Sequence, residues 1–237
     1  MWINQALLRL SDNKTYNRDD LYRVFSSEKP DLGAGAFRWT LYNLQQQKKI
    51  FRIGYDAYST VKPNHLHEYH PIYSDTACTV SKKISNKFPD IEFVAAESVL
   101  LNEFLNQQIA QNTVYVQIEK EISSYIFDFL QEDYTGSVLY KPTKNEFDRY
   151  WTRNCIVVLD LISQSPLSSE KPHEICIEKL LVDIIAEKSI AATFSPSELP
   201  FIFENVLENY QVDKRKLNRY AGRRGKTGQI RKLTGDK

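Results

Sequence analysis

The stretch from residue 76 to residue 161 alternates between helix-like and strand-like segments, and this alternation restricts the possible folds more than any other feature. Strand candidates occur at 91–95, 113–118, 137–140 and 155–161. Helix candidates separate or precede them, at 76–88, 98–108, 122–130 and 144–151. The last strand candidate, Cys-Ile-Val-Val-Leu-Asp-Leu, is continuously apolar, as in a central strand that is buried on both faces. Alternating strands and helices predict an α/β domain with a parallel or mixed sheet.

The chain beyond this stretch has only helical patterns. They cover about 174–187, 197–210, 214–222 and 227–233. We therefore predict a domain over residues 63–237 in which several helices follow a mixed sheet.

The first sixty residues have a different pattern, with three helices and a hairpin. Asn17 can cap the second helix, and two aspartates follow near the positive end of its dipole. The third helix runs over about 35–47, and two short strands at 50–53 and 57–60 flank a Gly-Tyr-Asp turn. This order predicts a winged helix-turn-helix domain over residues 1–62. The whole chain is then an α+β protein.

The third helix has one large aromatic side chain outside its apolar stripe. Phe37, Leu41 and Leu44 share one face, whereas Trp39 lies roughly opposite to them. In a winged helix, the third helix enters the major groove of DNA and the hairpin contacts the backbone or the minor groove. We therefore expect Trp39 to face DNA. The alternatives are that it packs on the hairpin or the second domain, or that the domain binds a protein.

The side chains predicted to contact DNA form two groups. On the outer face of the third helix, bases and phosphates would meet Arg38, Trp39, Tyr42, Asn43 and Gln46. In this group, Arg38 and Asn43 have the donor geometry to read guanine and adenine edges. At the end of the helix and in the hairpin, phosphates would meet Lys48, Lys49, Arg52 and Tyr55.

The net charge of +1 hides a strong segregation of charge along the chain. Residues 1–60 have a net charge of +3, residues 61–212 a net charge of −10, and residues 213–237 a net charge of +8. An acidic middle between two basic ends suggests contact with nucleic acid.

The basic C-terminal segment predicts a phosphate-binding face. Leu217, Tyr220, Ile230 and Leu233 have the spacing to hold two short helices against the domain. The outward residues would then be Arg219, Arg223, Arg224, Lys226 and Arg231. This face could extend a DNA contact, and it could equally meet RNA or an acidic protein; a solvated helix surface is the simplest alternative.

Several classes of protein are disfavoured. The sequence has no run of 18 apolar residues, so we expect no transmembrane helix. The N-terminus is too polar for a secretory signal peptide. The three cysteines are scattered, so we expect no disulfide framework and a cytoplasmic location.

No catalytic motif is evident, and we expect neither an enzyme nor a bound cofactor. His65, His67 and His70 lie close together in the sequence, but no fourth zinc ligand is evident, so we assign no metal site. Glu119 and Lys120 are adjacent, and adjacent residues point to opposite faces of a strand. A metal-dependent nuclease, which needs both groups on one face, is therefore only a minor alternative.

Two segments resemble AbiEi-type antitoxins. Residues 177–190, Ile-Glu-Lys-Leu-Leu-Val-Asp-Ile-Ile-Ala-Glu-Lys-Ser-Ile, match a Pro-Glu-Lys/Arg-x-Leu-x-Asp pattern at Glu178, Lys179, Leu181 and Asp183, with Ile177 in place of the proline. Residues 216–233 are similar to the closing basic helices of that family, and Phe-Arg-Ile-Gly-Tyr-Asp-Ala-Tyr-Ser is similar to its wing. Considered alone, Lys179 and Asp183 form an ion pair at i,i+4 spacing.

The resemblance implies a function in a type IV toxin–antitoxin operon of bacterial phage defence. The N-terminal domain would bind double-stranded promoter DNA and repress the operon. The C-terminal domain would counter a nucleotidyltransferase toxin, without a direct complex being implied. The alternative is a winged-helix transcription regulator with no toxin partner.

Overall fold

The structure is a computed structural model that describes residues 2–11, 14–54, 56–62, 66–105, 107–168 and 171–235. Its contacts divide the chain into two compact units. The first comprises residues 1–67 with 208–210, and the second comprises residues 68–207 with 211–237.

The first unit begins with three helices around a small apolar core. These are α1 (Trp2–Leu8), α2 (Arg18–Glu28) and α3 (Ala34–Gln46). The side chain of Asn17 accepts a hydrogen bond from Asp20 N, and Asp20 accepts one from Asn17 N, so the predicted cap of α2 is confirmed. One face of each helix supplies the core, which includes Ala6, Leu21, Phe25, Phe37, Leu41 and Leu44.

A hairpin follows these helices. Strands β1 (Phe51–Gly54) and β2 (Ala57–Ser59) pair antiparallel, with a register shift between Arg52 and Gly54. Tyr58 of β2 also exchanges two backbone hydrogen bonds with Tyr16, and Arg18 N donates to Asp56 Oδ1 at 3.0 Å. The hairpin is therefore attached to the start of α2 by both backbone and side-chain hydrogen bonds.

The second unit is built on a mixed four-stranded sheet. Its strands are β3 (Phe93–Glu97), β4 (Thr113–Ile118), β5 (Val138–Tyr140) and β6 (Cys155–Asp160), in the order β3-β4-β6-β5. Strand β6 is parallel to both of its neighbours, whereas β3 is antiparallel to β4. The predicted central position of the apolar strand β6 is confirmed, because β6 lies between two strands and its first five residues are buried.

The helices in the part of the chain beyond residue 67 are α4 (Asp75–Lys87), α5 (Ser123–Asp133), α6 (Lys144–Tyr150), α7 (Ile177–Ala186), α8 (Lys188–Ala191), α9 (Leu199–Asn209), α10 (Lys214–Arg223) and α11 (Thr227–Thr234). Helices α4 and α5 contact the sheet directly, whereas α10 packs on α7 and α11 on α10. Two short 3-10 helices span Ser98–Glu103 and Pro196–Glu198.

Strand β4 shows how the layers are arranged. Its alternate residues Val114, Val116 and Ile118 belong to one apolar cluster with α4 and α5. Its other face contacts α7 and α8, because Gln117 bonds to Lys179 and Tyr115 donates to Ser189 O. The pleat of a strand sends successive side chains to opposite faces, so both layers bury apolar surface against the same strand.

The α+β class, the mixed sheet and the C-terminal helices are as predicted. Two local predictions differ. The expected helix over 98–108 is a 3-10 helix that ends at Glu103, because the Asn102 side chain bonds to both N and O of Ile109 and turns the chain. The first strand of the sheet covers Phe93–Glu97, two residues later than predicted. None of the described helices is long and apolar enough to cross a membrane.

Candidate functional site

Helix α3 has a buried face and an exposed face. Phe37, Leu41 and Leu44 are at most 5% exposed, whereas Trp39 is 68% exposed. The predicted stripe is therefore confirmed, and most of the Trp39 side chain is exposed. A large aromatic side chain that is fixed on a helix and still exposed offers contact area to a partner.

The structure sorts the predicted DNA contacts of this unit by exposure. The exposed residues are Arg38, Trp39, Gln46, Lys48 and Lys49. The half-buried residues are Tyr42, Asn43 and Arg52. Tyr55 lies outside the described residues.

Polar atoms of two of the half-buried side chains are shielded or bonded within the unit. Asn43 Nδ2 is shielded from solvent and has no hydrogen-bond partner among the described residues, so Asn43 must rotate before it can read a base edge. Arg52 Nε donates to Gly54 O at 3.5 Å, and its guanidinium lies 5.8 Å from the centre of the Tyr58 ring. Whether Asn43 reads a base and Arg52 meets a phosphate stays a prediction.

The exposed lysines after α3 differ from each other. Lys48 has a φ of 55°, and its Nζ lies 3.2 Å from Glu208 Oε1, which belongs to the same compact unit. Lys49 is exposed, and no ion pair is observed for it among the described residues. Lys49 is therefore the better candidate for a phosphate contact.

The sequence around α3 has charges of one sign. No aspartate or glutamate occurs between Asp31 and Asp56, whereas Arg38, Lys48 and Lys49 lie in this stretch. Glu208 reduces the charge at Lys48, so the positive potential that can attract a polyanion comes mainly from Arg38 and Lys49.

A second group of polar residues is buried in the other unit. Lys179 and Asp183 of α7 are both fully buried, with 2.9 Å between Nζ and Oδ2. Lys179 Nζ also donates to Gln117 Oε1 at 2.6 Å and to Tyr220 OH at 3.0 Å. Asp183 accepts from Gln117 Nε2 and from Tyr220 OH, each at 2.8 Å. The four side chains satisfy one another, as a buried ion pair requires.

The energetics of this network depend on burial. Removal from water lowers the pKa of Lys179, and the nearby Asp183 carboxylate opposes that shift. Burial also raises the pKa of Tyr220, which keeps the phenol protonated so that it can donate to Asp183. The network connects β4, α7 and α10.

The third motif residue, Glu178, has a related structural contact. Its Oε1 accepts a hydrogen bond from Asp213 N at 2.8 Å. Asp213 in turn caps α10 by accepting from Arg215 N and Lys216 N. Hydrogen bonds from these backbone amides, that of Lys216 first, lower the pKa of Asp213. The segment that resembles antitoxins therefore binds the start of α10 through Glu178 and connects β4 to α10 through Lys179 and Asp183.

The predicted orientation of α10 and α11 is confirmed in part. Leu217, Tyr220 and Ile230 are fully buried, as expected for helices held against the domain, whereas Leu233 is half-buried. The predicted outward residues that are exposed are Arg219, Arg223 and Arg231, whereas Lys226 is half-buried. Arg223 donates to Ser163 Oγ through Nε at 2.9 Å and through Nη2 at 2.5 Å.

Arg224 does not belong to that face. Its side chain is 12% exposed, and Nη2 lies 3.3 Å from Glu187 Oε2. The sequence placed Arg224 beside Arg223 on the outside, but successive helical residues point about 100° apart, and Arg224 points inward. We therefore exclude it from the candidate phosphate contacts.

The carboxyl ends of the parallel strands β5 and β6 carry a polar cluster that sequence reasoning missed. Ser123 Oγ donates to Asp160 Oδ1 at 2.8 Å and lies 3.1 Å from Tyr140 OH, while Lys141 Nζ lies 2.6 Å from Asp160 Oδ1. This edge of an α/β sheet is where ligands commonly bind. Here the four groups bond to one another, which ties α5 to the strand ends. Only the parallel pairing of the strands brings them together, so no local pattern could have indicated them.

The described part of the chain contains no cluster of side chains that could bind a metal ion. In that part, no three histidine, cysteine, aspartate or glutamate side chains are grouped so that they could hold a metal ion. His65, one of the three histidines noted in the sequence, lies outside the described residues.

Comparison with known families gives a match over most of the chain. The family of unknown function DUF6577 matches residues 36–237. The chain belongs to this family. No curated protein and no solved structure matches the chain.

The DUF6577 match begins within α3 and includes the hairpin and the second unit. The matched region therefore includes both the exposed face of α3, with Arg38 and Trp39, and the buried network. The network includes Gln117, which the sequence analysis did not single out. A glutamine in the otherwise apolar segment Thr-Val-Tyr-Val-Gln-Ile was the available signal.

The cysteines of this DUF6577 protein should differ strongly in reactivity. Cys78 is exposed, whereas Cys155 is buried. Cys176 donates to Pro166 O, and burial raises the pKa of its thiol to about 12. Because the thiolate is the reactive form, a thiol reagent near pH 8 should label one cysteine rapidly in the native protein and three in denaturant. Rapid labelling that persists in Cys78→Ser would contradict this assignment.

Proposed function

We propose that this protein binds double-stranded promoter DNA through its N-terminal unit and represses its own operon. The observation that supports this most is the exposed face of α3, where Trp39 lies opposite the buried stripe and Arg38 is exposed beside it. A rigid helix that presents an aromatic side chain and an exposed arginine, with no acidic residue of its own, suits the major groove.

The proposed binding mode assigns a separate contact to each part of this unit. Helix α3 enters the major groove, where Arg38 can pair with a guanine edge and Gln46 with an adenine edge. Lys49 meets a phosphate after the end of the helix. The hairpin formed by β1 and β2 acts as the wing. Its attachment to Tyr16 and Arg18 keeps it in a fixed position relative to α2.

We further propose that the protein is the antitoxin of a type IV toxin–antitoxin operon and counters a nucleotidyltransferase toxin. This rests on the likeness of residues 177–190 and 216–233 to AbiEi-type antitoxins. Glu178, Lys179 and Asp183 make hydrogen bonds and an ion pair within the second unit. Likeness at these positions therefore supports a shared fold more directly than a shared function.

Co-expression with the adjacent gene separates this role from that of a regulator without a toxin. An antitoxin should restore growth when the adjacent gene is toxic alone. If the protein binds DNA but does not restore growth, we would conclude that it is a winged-helix regulator without a toxin partner.

Two substitutions in the N-terminal unit should affect DNA binding in different ways. Arg38→Ala should weaken binding to the DNA upstream of the gene by about 1–3 kcal/mol, roughly 5- to 150-fold, because it removes a base contact. Lys49→Ala should weaken binding to all sequences alike and lower the salt slope by about 0.9, because it removes a phosphate contact. Fluorescence anisotropy with upstream and scrambled duplexes over a range of salt concentrations measures both effects.

Arg23→Ala is the matched control for this experiment. Arg23 is an exposed arginine on α2 of the same unit, and its side chain faces Asp20 at 3.6 Å. This variant has the same change in net charge as either test variant, and its binding should remain close to that of wild type. If Arg38→Ala and Lys49→Ala also bind as wild type does, α3 is not the DNA-reading element.

A further inference from the structure

Helices α10 and α11 present a row of cations on the outer surface of the second unit. The exposed basic residues of α10 include Arg215, Arg219 and Arg223, spaced by four residues, and α11 adds Arg231 and Lys232. The rise of an α-helix separates residues four apart by about 6 Å, so the three arginines extend over about 12 Å. Neither helix contains an aspartate or a glutamate.

This row is held rigidly by the opposite face of the same helix. Leu217, Tyr220 and Ala221 are fully buried, and Tyr220 bonds to Asp183 and Lys179. Arg223 is positioned by its two hydrogen bonds to Ser163. The outward arginines are therefore attached to an ordered helix and not to a loose tail.

Acidic side chains neutralise this row only in part, since the Asp213 carboxylate interacts with the charge of Arg215. Among the described residues, no ion pair is observed for Arg215, Arg219 or Arg231. Asp213 lies at the start of α10, but its carboxylate accepts backbone hydrogen bonds from Arg215 and Lys216. Uncompensated like charges repel each other, and a polyanion relieves that repulsion.

The chemistry of the surface selects the kind of polyanion. No large apolar side chain of α10 or α11 is exposed, whereas protein interfaces have an apolar core. Their one aromatic residue, Tyr220, is fully buried, whereas single-stranded nucleic acids are bound by aromatic side chains that stack on bases. A straight row of separate guanidinium groups suits the phosphates of a duplex.

We infer that the α10–α11 face is a second nucleic-acid-binding surface, which contacts the phosphate backbone of double-stranded DNA independently of sequence. The choice of DNA over duplex RNA rests on the proposed function of the N-terminal unit. The contact adds affinity but no base readout, because phosphate contacts carry no sequence information directly.

The test uses the full chain with Arg215→Ala/Arg219→Ala. Both side chains are exposed, and alanine is the best helix former, so α10 should remain intact. The matched control is Lys144→Ala/Arg149→Ala on α6, which lowers the net charge equally at another exposed place in the same unit. Anisotropy with a scrambled duplex of about 25 base pairs measures the affinity from about 50 to 200 mM salt.

Loss of two phosphate contacts should lower the salt slope by about 1.8. Over that fourfold range of salt, the affinity of the variant should therefore fall about 12-fold less than that of wild type. The control should keep the wild-type slope. An unchanged slope for Arg215→Ala/Arg219→Ala would overturn the inference, and so would an equal loss of slope in the control.

Two further measurements separate this inference from neighbouring hypotheses. A reduced slope with duplex RNA but not with duplex DNA would overturn the assignment to DNA. Loss of growth rescue with an unchanged slope would assign the face to an acidic protein partner and overturn it as well. Trp39→Ala tests the N-terminal unit separately: if it binds the upstream DNA as wild type does while the α10 variant loses slope, the proposed function fails and this inference stands.

Discussion

Lys179→Met should lower the free energy of unfolding by about 3–5 kcal/mol, because it leaves the fully buried carboxylate of Asp183 without its cation. The substitution also removes a donor from Gln117 Oε1. Methionine has a similar length, so loss of packing volume contributes little. Urea denaturation monitored by circular dichroism measures the change through the shift in midpoint at constant m-value.

A double substitution distinguishes the charge from the hydrogen bonds. In Lys179→Met/Asp183→Asn neither side chain is charged, and the amide can still accept a hydrogen bond from Tyr220. We therefore expect it to be more stable than Lys179→Met alone, since the uncompensated charge is removed. A double variant as unstable as the sum of the two single variants would show that the pair does not act as a unit.

The chain contains a suitable control for this experiment. Lys144 and Asp148 on α6 form another lysine–aspartate pair at i,i+4 spacing, but their side chains are 59% and 50% exposed. Lys144→Met should change stability by less than about 1 kcal/mol, because water screens an exposed pair. Equal losses at Lys144 and Lys179 would contradict a special role for burial.

Trp39→Ala should weaken binding to the upstream DNA by roughly 30-fold and leave the stability of the protein almost unchanged. The side chain is 68% exposed, so its removal creates no cavity, and we expect a change in unfolding free energy within about 0.5 kcal/mol. If DNA covers about 80 Å² of the indole, the lost burial amounts to about 2 kcal/mol, which corresponds to that factor.

Binding and repression can be measured on the same variant. Anisotropy with the upstream duplex measures affinity, and a reporter gene fused to the upstream region measures repression in cells. Leu8→Ala is the control, because Leu8 is 85% exposed in the same unit but lies on α1. Wild-type binding in the Trp39 variant would exclude α3 as the recognition helix, and loss of binding in the Leu8 variant would show that the effect is not specific to α3.

The sequence alone determined the features that depend only on residues close together in the sequence. The cap at Asn17, the stripe of Phe37, Leu41 and Leu44, and strand Thr113–Ile118 were all predicted correctly. Each follows from local hydrogen bonding or from the periodicity of a single helix or strand. The alternation of strands and helices likewise indicated the mixed sheet, because each segment has its own pattern.

The tertiary structure alone decided which groups join the predicted Lys179–Asp183 pair and which cations stay outside. Gln117, Lys179, Asp183 and Tyr220 come from three elements that are far apart in sequence, and only their packing at the centre of the second unit makes them one network. Arg223 and Arg224 are adjacent and chemically identical, yet one is exposed and the other is ion-paired with Glu187. The rotation of α10 on its buried residues decides this difference, because the helix must bury Leu217 and Tyr220 and so directs Arg224 inward.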